Sequence, residues 1–273
     1  ALKEALALDD REASLEAHLL LGHALGQPRA YLLAHREQTI ESSRLSDFRA
    51  ALQRRLSGEP TAYILGQREF FGLMLAVTPD VLIPRPDTEL LVELALAYIP
   101  TKGRCEVLDL GTGSGAVAIA LAKQRPDARL TALDRSVAAL AVAHQNARRH
   151  GVGNIRFLAG NWFEPLSPSH QFDLIVGNPP YIAEDDPHLE SLGHEPRPAL
   201  VSGKDGLDAI RLIAREAPRH LGAGGALLLE HGFAQGAACR KIFRESGFSE
   251  VVTEPDLAGM ARVTKGIRTS IQG

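Results

Sequence analysis

The residues best suited to chemistry are Asn178, Pro179, Pro180 and Tyr181, which follow the apolar run 172–176. The Asn178 side chain offers one hydrogen-bond acceptor and two donors. Because Pro180 has no N–H with which to recapture a nearby carbonyl, we expect the Pro179 carbonyl to point into the site beside the Asn178 oxygen. Two acceptors match the two N–H bonds of a primary amide or an exocyclic amine, and Tyr181 can pack against that planar group. The alternative is an ordinary turn, because Asn-Pro is a common turn signal.

A glycine-rich turn lies upstream, in the sequence Asp-Leu-Gly-Thr-Gly-Ser-Gly at 109–115. Glycines let a ligand approach the backbone closely, and they adopt positive φ without a Cβ penalty. A second acid, Asp134, ends the next apolar run, where its carboxylate suits the hydroxyl groups of a ribose. The dinucleotide fingerprint is Gly-x-Gly-x-x-Gly, whereas these glycines alternate behind an acid, a pattern that resembles S-adenosylmethionine-dependent methyltransferases. The alternative is a strand-to-helix turn that binds no ligand.

Together, the two motifs predict methyl transfer to an amide or amino nitrogen. An amide nitrogen is a poor nucleophile because its lone pair is delocalised. Holding it in line with an electrophilic methyl group, with its hydrogens engaged, would promote the reaction through positioning and electrostatics. No residue stands out as a dedicated general base, and this mechanism does not require one.

The elements around these motifs predict a doubly wound α/β domain with a mostly parallel sheet. Helical patterns separate most of the apolar runs that we interpret as strands, at 105–110, 130–134, 155–159, 172–176, 226–230 and 251–253. Ser136 is a predicted N-cap for the helix that ends near Gly151. Ligands bind beyond the carboxyl ends of the strands in such sheets. Asp109, Asp134 and Asn178 would all lie at that edge.

The remainder of the chain predicts a small N-terminal helical bundle over residues 1–66. Leu15, Leu19 and Leu25 line one face of a helical pattern, and no strand pattern interrupts the region. Apolar and aromatic residues around Gly72 predict a short hairpin within a linker at 67–83. We place the α/β domain at 84–273.

Composition limits the classes of function. Hydrophobic residues make up 45% of the 273 residues and the formal net charge is −3, with an isoelectric point of about 6.4. These values argue against broad attraction to nucleic acid, although a local basic patch is compatible with them. No apolar run reaches the roughly 20 residues of a membrane span. Cys105 and Cys239 fall in predicted core segments and read as free thiols in a reducing cytoplasm. The ten histidines show no metal-ligand spacing, so we expect no metal.

The wider sequence resembles the N5-glutamine methyltransferases that act on peptide-chain release factors (the PrmC/HemK family). The Asn-Pro-Pro-Tyr motif alone is shared with adenine-N6 and other nucleic-acid amino methyltransferases. The resemblance covers nearly the whole chain and rests on segments at 63–66, 69–72, 82–89, 161–163 and 228–232. The sequence departs from the family pattern at 191–196 and at 265–267, away from the predicted reaction centre.

The resemblance implies a seven-stranded, Rossmann-like methyltransferase sheet and a helical N-terminal domain. We predict that this helical domain, residues 1–66, docks the substrate. It implies S-adenosylmethionine as cofactor and, as substrate, the glutamine of the Gly-Gly-Gln motif of class I release factors. By position, Asn178, Pro179 and Tyr181 would be catalytic, and Pro180 would join them in holding the glutamine. The residues predicted to bind the cofactor are Asp109, Gly111, Thr112, Gly113, Ser114, Gly115, Asp134, Trp162 and Asn178.

Two other functions are compatible with parts of the pattern. A nucleic-acid amino methyltransferase would need a flipped base held by residues 178–181, which we call the acceptor corner, and a basic surface for the phosphates. The acidic isoelectric point counts against it, and we expect no direct nucleic-acid partner. A non-catalytic S-adenosylmethionine-binding regulator would not need the acceptor corner. Arg85, between two prolines, either contacts the substrate protein or braces the linker.

Overall fold

The computed structural model describes residues 2–269 and divides the chain into two compact units, up to Arg68 and from Glu69 onward. Among the described residues of the first unit, helices are the regular elements that precede the strand beginning at Gln67. The helices are α1 Leu2–Leu6, α2 Asp10–Leu25, α3 Arg29–Ala34, α4 Ser42–Leu56 and α5 Thr61–Leu65.

Local signals fix the ends of α2. The Asp9 side chain accepts from the Glu12 backbone N–H while the Glu12 side chain accepts from the Asp9 N–H, which forms a capping box. Gly26 ends the helix in the left-handed conformation, with φ of 65°. The buried face of α2 passes through Leu20, which packs with Ala51 of α4 and Ile64 of α5.

The leucine pattern of α2 proved a poor guide to burial. Leu15 and Leu19, two of the three leucines on the predicted face, are 40% and 38% exposed. The buried positions of α2 are Leu20, Gly22 and Ala24 instead. Leu15 and Leu19 are four residues apart, so they share one face of the helix and leave an apolar pair on its surface.

Two short strands follow the helices. β1 Gln67–Phe70 pairs with β2 Leu73–Ala76 in a two-stranded sheet. Phe71 and Gly72, which connect them, both have positive φ. In β2, the Ala76 backbone exchanges hydrogen bonds with the Asn146 side chain, which ties the hairpin to a later helix of the second unit.

A seven-stranded sheet forms the centre of the second unit, in the order β5-β4-β3-β6-β7-β9-β8. All neighbouring strands from β5 to β7 are parallel, and β9 runs antiparallel to both of its neighbours. The strands are β3 Glu106–Leu110, β4 Arg129–Asp134, β5 Ile155–Ala159, β6 Phe172–Gly177, β7 Leu221–Glu230, β8 Phe248–Pro255 and β9 Ala261–Arg268.

Helices cover the sheet, and the core lies between them and the strands. They are α6 Glu89–Leu96, α7 Ala116–Gln124, α8 Val137–Arg149, α9 Asp208–His220 and α10 Gly236–Glu245. Ser136 caps α8 by accepting a hydrogen bond from the Ala139 N–H at 3.1 Å, as predicted. A 3₁₀ turn, Pro86–Thr88, leads into α6.

The predicted α/β fold with a mostly parallel sheet and a helical N-terminal region is confirmed. The sequence patterns located six of the seven strands and missed β9. They also placed the start of β7 at residue 226, whereas the strand begins at Leu221. Within residues 2–269, no helix is long and apolar enough to cross a membrane.

Candidate active site

The central strands end at a cleft of about 700 Å³. β3, β4 and β6 lie side by side, so the residues after their carboxyl ends meet at one edge. Of the residues predicted to act in the site, this edge brings together Gly111, Gly113, Asp134, Trp162, Asn178 and Pro180 as lining residues.

The glycine turn needs its glycines for two different reasons. Gly111, Gly113 and Gly115 all have positive φ, which strains any other residue type. A Cβ on Gly113 would meet nothing within 4 Å, so this backbone is open to a ligand. A Cβ on Gly115 would lie 2.8 Å from the Ile119 side chain, so that glycine permits close helix packing. Gly115 therefore shapes the turn without lining the cleft.

Asp109 is buried and stabilises the glycine turn through a hydrogen bond. It is 2% exposed, and its carboxylate accepts a hydrogen bond from the Thr112 hydroxyl at 2.6 Å. Burial raises the pKa of Asp109 to about 6, although hydrogen bonds from Thr112 and the Ala118 backbone oppose the rise. Thr112 and Ser114 are also buried. These three residues support the turn, and their direct contact with a cofactor stays a prediction.

Asp134 presents a fixed carboxylate at the cleft. One oxygen accepts from the Gly113 N–H at 2.9 Å and the other accepts from the Ser136 N–H at 2.8 Å. Each carboxylate oxygen has further lone pairs, so Asp134 can still accept hydrogen bonds from two hydroxyl groups of a ribose. The same contacts tie Asp134 to the glycine turn.

Trp162 provides a flat apolar surface near the same turn. Its ring lies 3.8 Å from the position that a Cβ on Gly111 would take. Its backbone φ is 49°, an uncommon value for a bulky residue that the surrounding fold must enforce. A carboxylate for ribose hydroxyls, an exposed glycine backbone and an aromatic plane together fit the adenosine part of S-adenosylmethionine.

Asn178 carries one of several buried polar atoms that have no hydrogen-bond partner among the described residues, and it is the one whose residue lines the cleft. Its Nδ2 donates to the Thr88 hydroxyl at 3.1 Å. Its Oδ1 is buried and has no hydrogen-bond partner among the described residues. A buried acceptor without a donor is unfavourable by about 1–3 kcal/mol, so this oxygen is prepared for an N–H from a ligand.

Of the other residues in the acceptor corner, some line the cleft and some pack into the protein interior. Pro180 lines the cleft, but among the described residues that line it neither Pro179 nor Tyr181 appears. The Tyr181 hydroxyl lies 3.5 Å from Glu230 Oε1, and its carbonyl accepts from Gln235 Nε2 at 2.9 Å. Burial, followed by the Glu230 charge, raises the pKa of Tyr181. Tyr181 thus anchors the corner to β7, and its predicted contact with substrate stays untested.

Thr88 and Glu230 are polar residues of the site to which the sequence patterns assigned no role. Thr88 is 4% exposed and Glu230 is 0% exposed. Burial raises the pKa of Glu230 to about 7, although a hydrogen bond from Thr88 and the charge of Arg262 favour the ionised form. The sequence signal that could have identified Glu230 is its position as an acid at the carboxyl end of the apolar run 226–230.

Arg85 braces a loop within the second unit. Its guanidinium pairs with the Glu195 carboxylate, which is almost fully buried. The other Glu195 oxygen accepts from the Ile83 backbone N–H at 3.1 Å. These contacts fix the 191–200 loop, whose residues Pro196 to Ala199 line the cleft, so Arg85 shapes the cleft wall.

Replacing Glu230 by glutamine should remove a pH-dependent destabilisation. Because the pKa of Glu230 rises from 4.5 to about 7 on folding, the folded protein binds this proton more tightly than the unfolded chain. Wild-type stability therefore falls as pH rises through this window, by on the order of 3 kcal/mol from this group. E230Q does not titrate there, so its free energy of unfolding relative to wild type should rise by that amount between pH 4.5 and 8 in urea unfolding. A pH-independent difference would contradict the buried carboxylate.

Comparisons with known proteins agree with this geometry. A family model described as a methyltransferase domain matches residues 101–248, and one described as the PrmC N-terminal domain matches residues 1–66. A methyltransferase structure from Pyrococcus furiosus superposes with a TM-score of 0.55 at 18% identity, over 82% of this chain and 100% of that one. That likeness shows the fold alone.

Relatives in bacteria are far more similar in sequence. The release factor glutamine methyltransferase of Bordetella pertussis is 51% identical over 97% of this chain and 98% of its own length. The protein of the same name from Coxiella burnetii is 47% identical over 96% and 94%. The chain is therefore an S-adenosylmethionine-dependent methyltransferase and belongs to the release factor glutamine methyltransferase family.

Proposed function

We propose that this protein methylates the side-chain nitrogen of the glutamine in the Gly-Gly-Gln motif of class I peptide chain release factors. The observation that carries the proposal is the unpartnered Oδ1 of Asn178, a buried acceptor in the same cleft as Asp134 and the glycine turn. A primary amide has the N–H that this oxygen lacks. The names of the bacterial relatives support glutamine as the acceptor.

Different residues of the cleft would bind the cofactor and the target amide. Asp134 and the backbone at Gly111 and Gly113 would hold the cofactor, with Trp162 beside its adenine. S-adenosylmethionine, when bound, supplies an electrophilic methyl group on a positively charged sulfur. Asn178 Oδ1 would accept one N–H of the target amide and so fix the direction of its nitrogen. The predicted second acceptor is the Pro179 carbonyl.

Catalysis in this arrangement comes from positioning. The Asn178 amide is already held by Thr88, so it does not reorganise when the substrate enters. Preorganised polar groups in a site that excludes water stabilise a transition state more than mobile ones do. Net transfer replaces one of the two amide hydrogens with methyl and releases that hydrogen as a proton.

We further propose that residues 1–66 form a domain that docks the release factor, that 67–83 link it to the catalytic domain, and that 84–273 carry out methyl transfer in the cytoplasm. The described residues that line the cleft all fall within the range from Asp80 to Leu212. The described residues of the helical unit contribute nothing to that lining and have their own small core around Leu20. A role in recognition is compatible with both observations.

The direct test is incubation of the protein with a purified class I release factor and isotopically labelled S-adenosylmethionine. Tandem mass spectrometry should find one added methyl group on the glutamine of Gly-Gly-Gln. A release factor with that glutamine replaced by asparagine is the matched control and should stay unlabelled, because the shorter side chain withdraws the nitrogen. Labelling of DNA or RNA in parallel reactions, with none on the release factor, would favour a nucleic-acid amino methyltransferase instead.

A further inference from the structure

Gln235 joins three segments of the second unit beside the acceptor corner. Its Nε2 donates a hydrogen bond to the Tyr181 carbonyl at 2.9 Å and another to the Asp205 carbonyl at 3.2 Å. Its Oε1 accepts a hydrogen bond from the Gly232 N–H at 2.8 Å. One side chain therefore connects the end of the acceptor corner, the turn at 205–206 and the loop that follows β7.

The partners of Gln235 fix the orientation of its amide. A backbone carbonyl can only accept a hydrogen bond and a backbone N–H can only donate one. The NH₂ group therefore has to face Tyr181 and Asp205, while the oxygen faces Gly232. Because all three partners belong to the backbone, these contacts hold the path of the chain itself.

The prolines of the acceptor corner make such an anchor necessary. Pro179 and Pro180 have no N–H, so the chain cannot be held by backbone donors at these two residues. Their rings fix φ at about −65°, so they form a stiff piece between Asn178 and Tyr181. Asn178 is attached at one end of this piece by its hydrogen bond to Thr88. The Tyr181 carbonyl is an attachment at the other end.

We propose that Gln235 is a positioning residue for methyl transfer, which holds the acceptor corner at Tyr181 and so directs the Pro179 carbonyl and Asn178 Oδ1 toward the target nitrogen. The inference deepens the proposed function and rests on it, because these two oxygens are the ones assigned to the substrate N–H groups. Gln235 is not among the described residues that line the cleft. It therefore acts through the corner and not on a ligand.

Close packing around the Tyr181 carbonyl supports the same role. A Cβ on Gly206 would lie 2.1 Å from the Tyr181 carbonyl oxygen and 2.9 Å from Gln235 Nε2. The turn at 205–206 thus approaches both partners of this hydrogen bond. Loss of the Gln235 donor would leave the carbonyl against this turn without the contact that ties them together, and the corner would shift.

The first test replaces Gln235 by glutamate in the full-length protein. Glutamate keeps the shape and the oxygen that accepts from the Gly232 N–H, but its ionised carboxylate at pH 8 cannot donate to the two carbonyls. kcat should fall roughly 10- to 100-fold, because a misplacement of about 1 Å costs on the order of 10² in rate. Calorimetric affinity for S-adenosylmethionine should stay within about twofold of wild type. A residue that only supported the loop after β7 would tolerate this change, since its contact with Gly232 remains.

Two further variants separate positioning from charge and from stability. Gln235→Met removes all three hydrogen bonds without adding charge, and kcat should fall at least as far. Asn154→Asp is the matched control, because Asn154 Nδ2 also donates to two backbone carbonyls, those of Arg125 at 3.2 Å and Ala128 at 3.0 Å. Asn154 precedes β5 at the amino end of the strand, across the sheet from the cleft. This control should lower the free energy of unfolding in urea and leave kcat unchanged.

A double-mutant cycle shows whether Gln235 acts through the corner. In the Asn178→Ala background, Gln235→Glu should lower kcat by less than about threefold, because a target amide held by one acceptor alone is already free to turn. A larger loss in that background would overturn the proposal. So would near wild-type kcat for both Gln235 variants, or a loss of kcat in Asn154→Asp equal to that in Gln235→Glu.

These results separate the inference from the proposed substrate. The variants are assayed on whichever acceptor the wild-type protein methylates, because an amide and an exocyclic amine present the same N–H groups to the corner. A wild-type protein that labels nucleic acid but no release factor refutes the proposed function. The Gln235 series on that acceptor would still support or overturn the positioning role.

Discussion

Replacing Asn178 by alanine is expected to lower kcat for release-factor methylation by roughly 10²–10³-fold, by analogy with the loss of one preorganised donor from an oxyanion hole. The variant lacks the Oδ1 atom that has no partner within the described protein. The target amide would then keep one N–H free, and its nitrogen would no longer be held in line with the methyl group. Positioning of this kind accounts for a large share of catalysis when the nucleophile is weak.

The measurement should separate the acceptor from the cofactor. Single-turnover rates with saturating release factor report the chemical step, and calorimetry reports the affinity for S-adenosylmethionine. We expect the cofactor affinity to change much less than the rate. Asn161→Ala is a matched control, because Asn161 lines the same cleft but its side chain donates to Glu164, at 3.3 Å. Near wild-type turnover by Asn178→Ala would refute the proposed role.

The sequence could predict the position of the site because strand ends converge in a parallel sheet. Asp134 ends β4 and Asn178 follows β6, on either side of β3 in the sheet order. Local apolar runs were enough to locate these strands. Because ligands bind beyond the carboxyl ends of parallel strands, the polar residues at those ends could then be predicted to lie together. No side-chain contact had to be known for that step.

The contacts that orient the site could not be read from local patterns. Thr88 and Asn178 are 90 positions apart, and Arg85 and Glu195 are 110 apart. Such pairs are set by the packing of the whole domain. Strand β9 was missed for a related reason, because Arg262 and Lys265 interrupt its apolar pattern. Their charges are compensated by acids on other segments, among them Asp256 and Glu254, which only the folded chain brings near.

Side-chain directions were the least predictable feature. Tyr181 belongs to the acceptor motif, yet its hydroxyl lies next to Glu230. Gly206 explains part of this placement, because a Cβ there would lie 2.1 Å from the Tyr181 carbonyl. The chain after the motif passes so close to the 205–206 segment that only glycine fits. Motif residues therefore divide into those that meet ligands and those that hold the motif in place.

Removing the helical unit is expected to lower kcat/KM on intact release factor by roughly 10²-fold or more, which corresponds to about 2.8 kcal/mol, somewhat more than one interface hot spot of 2 kcal/mol. A glutamine side chain is too small to select one protein among many. Specificity should therefore come from a wider interface, on the order of 1,200–2,000 Å² for a stable complex. The exposed pair Leu15 and Leu19 on α2 offers apolar surface for such contacts.

A fragment that begins at Gly66 keeps β1 whole and retains every residue that lines the cleft. It should bind S-adenosylmethionine like the full chain, and it should methylate a short Gly-Gly-Gln peptide within a few-fold of the full-length rate. The loss should appear only on intact release factor.

A matched pair of full-length variants makes the test independent of truncation. Leu15→Ser combined with Leu19→Ser should raise KM for intact release factor without changing activity on the peptide, because it removes apolar surface from the proposed docking face. Leu257→Ser removes a fully exposed leucine from the second unit and should change neither value. Equal kcat/KM for the folded fragment and the full chain on intact release factor would show that residues 1–66 do not dock the substrate.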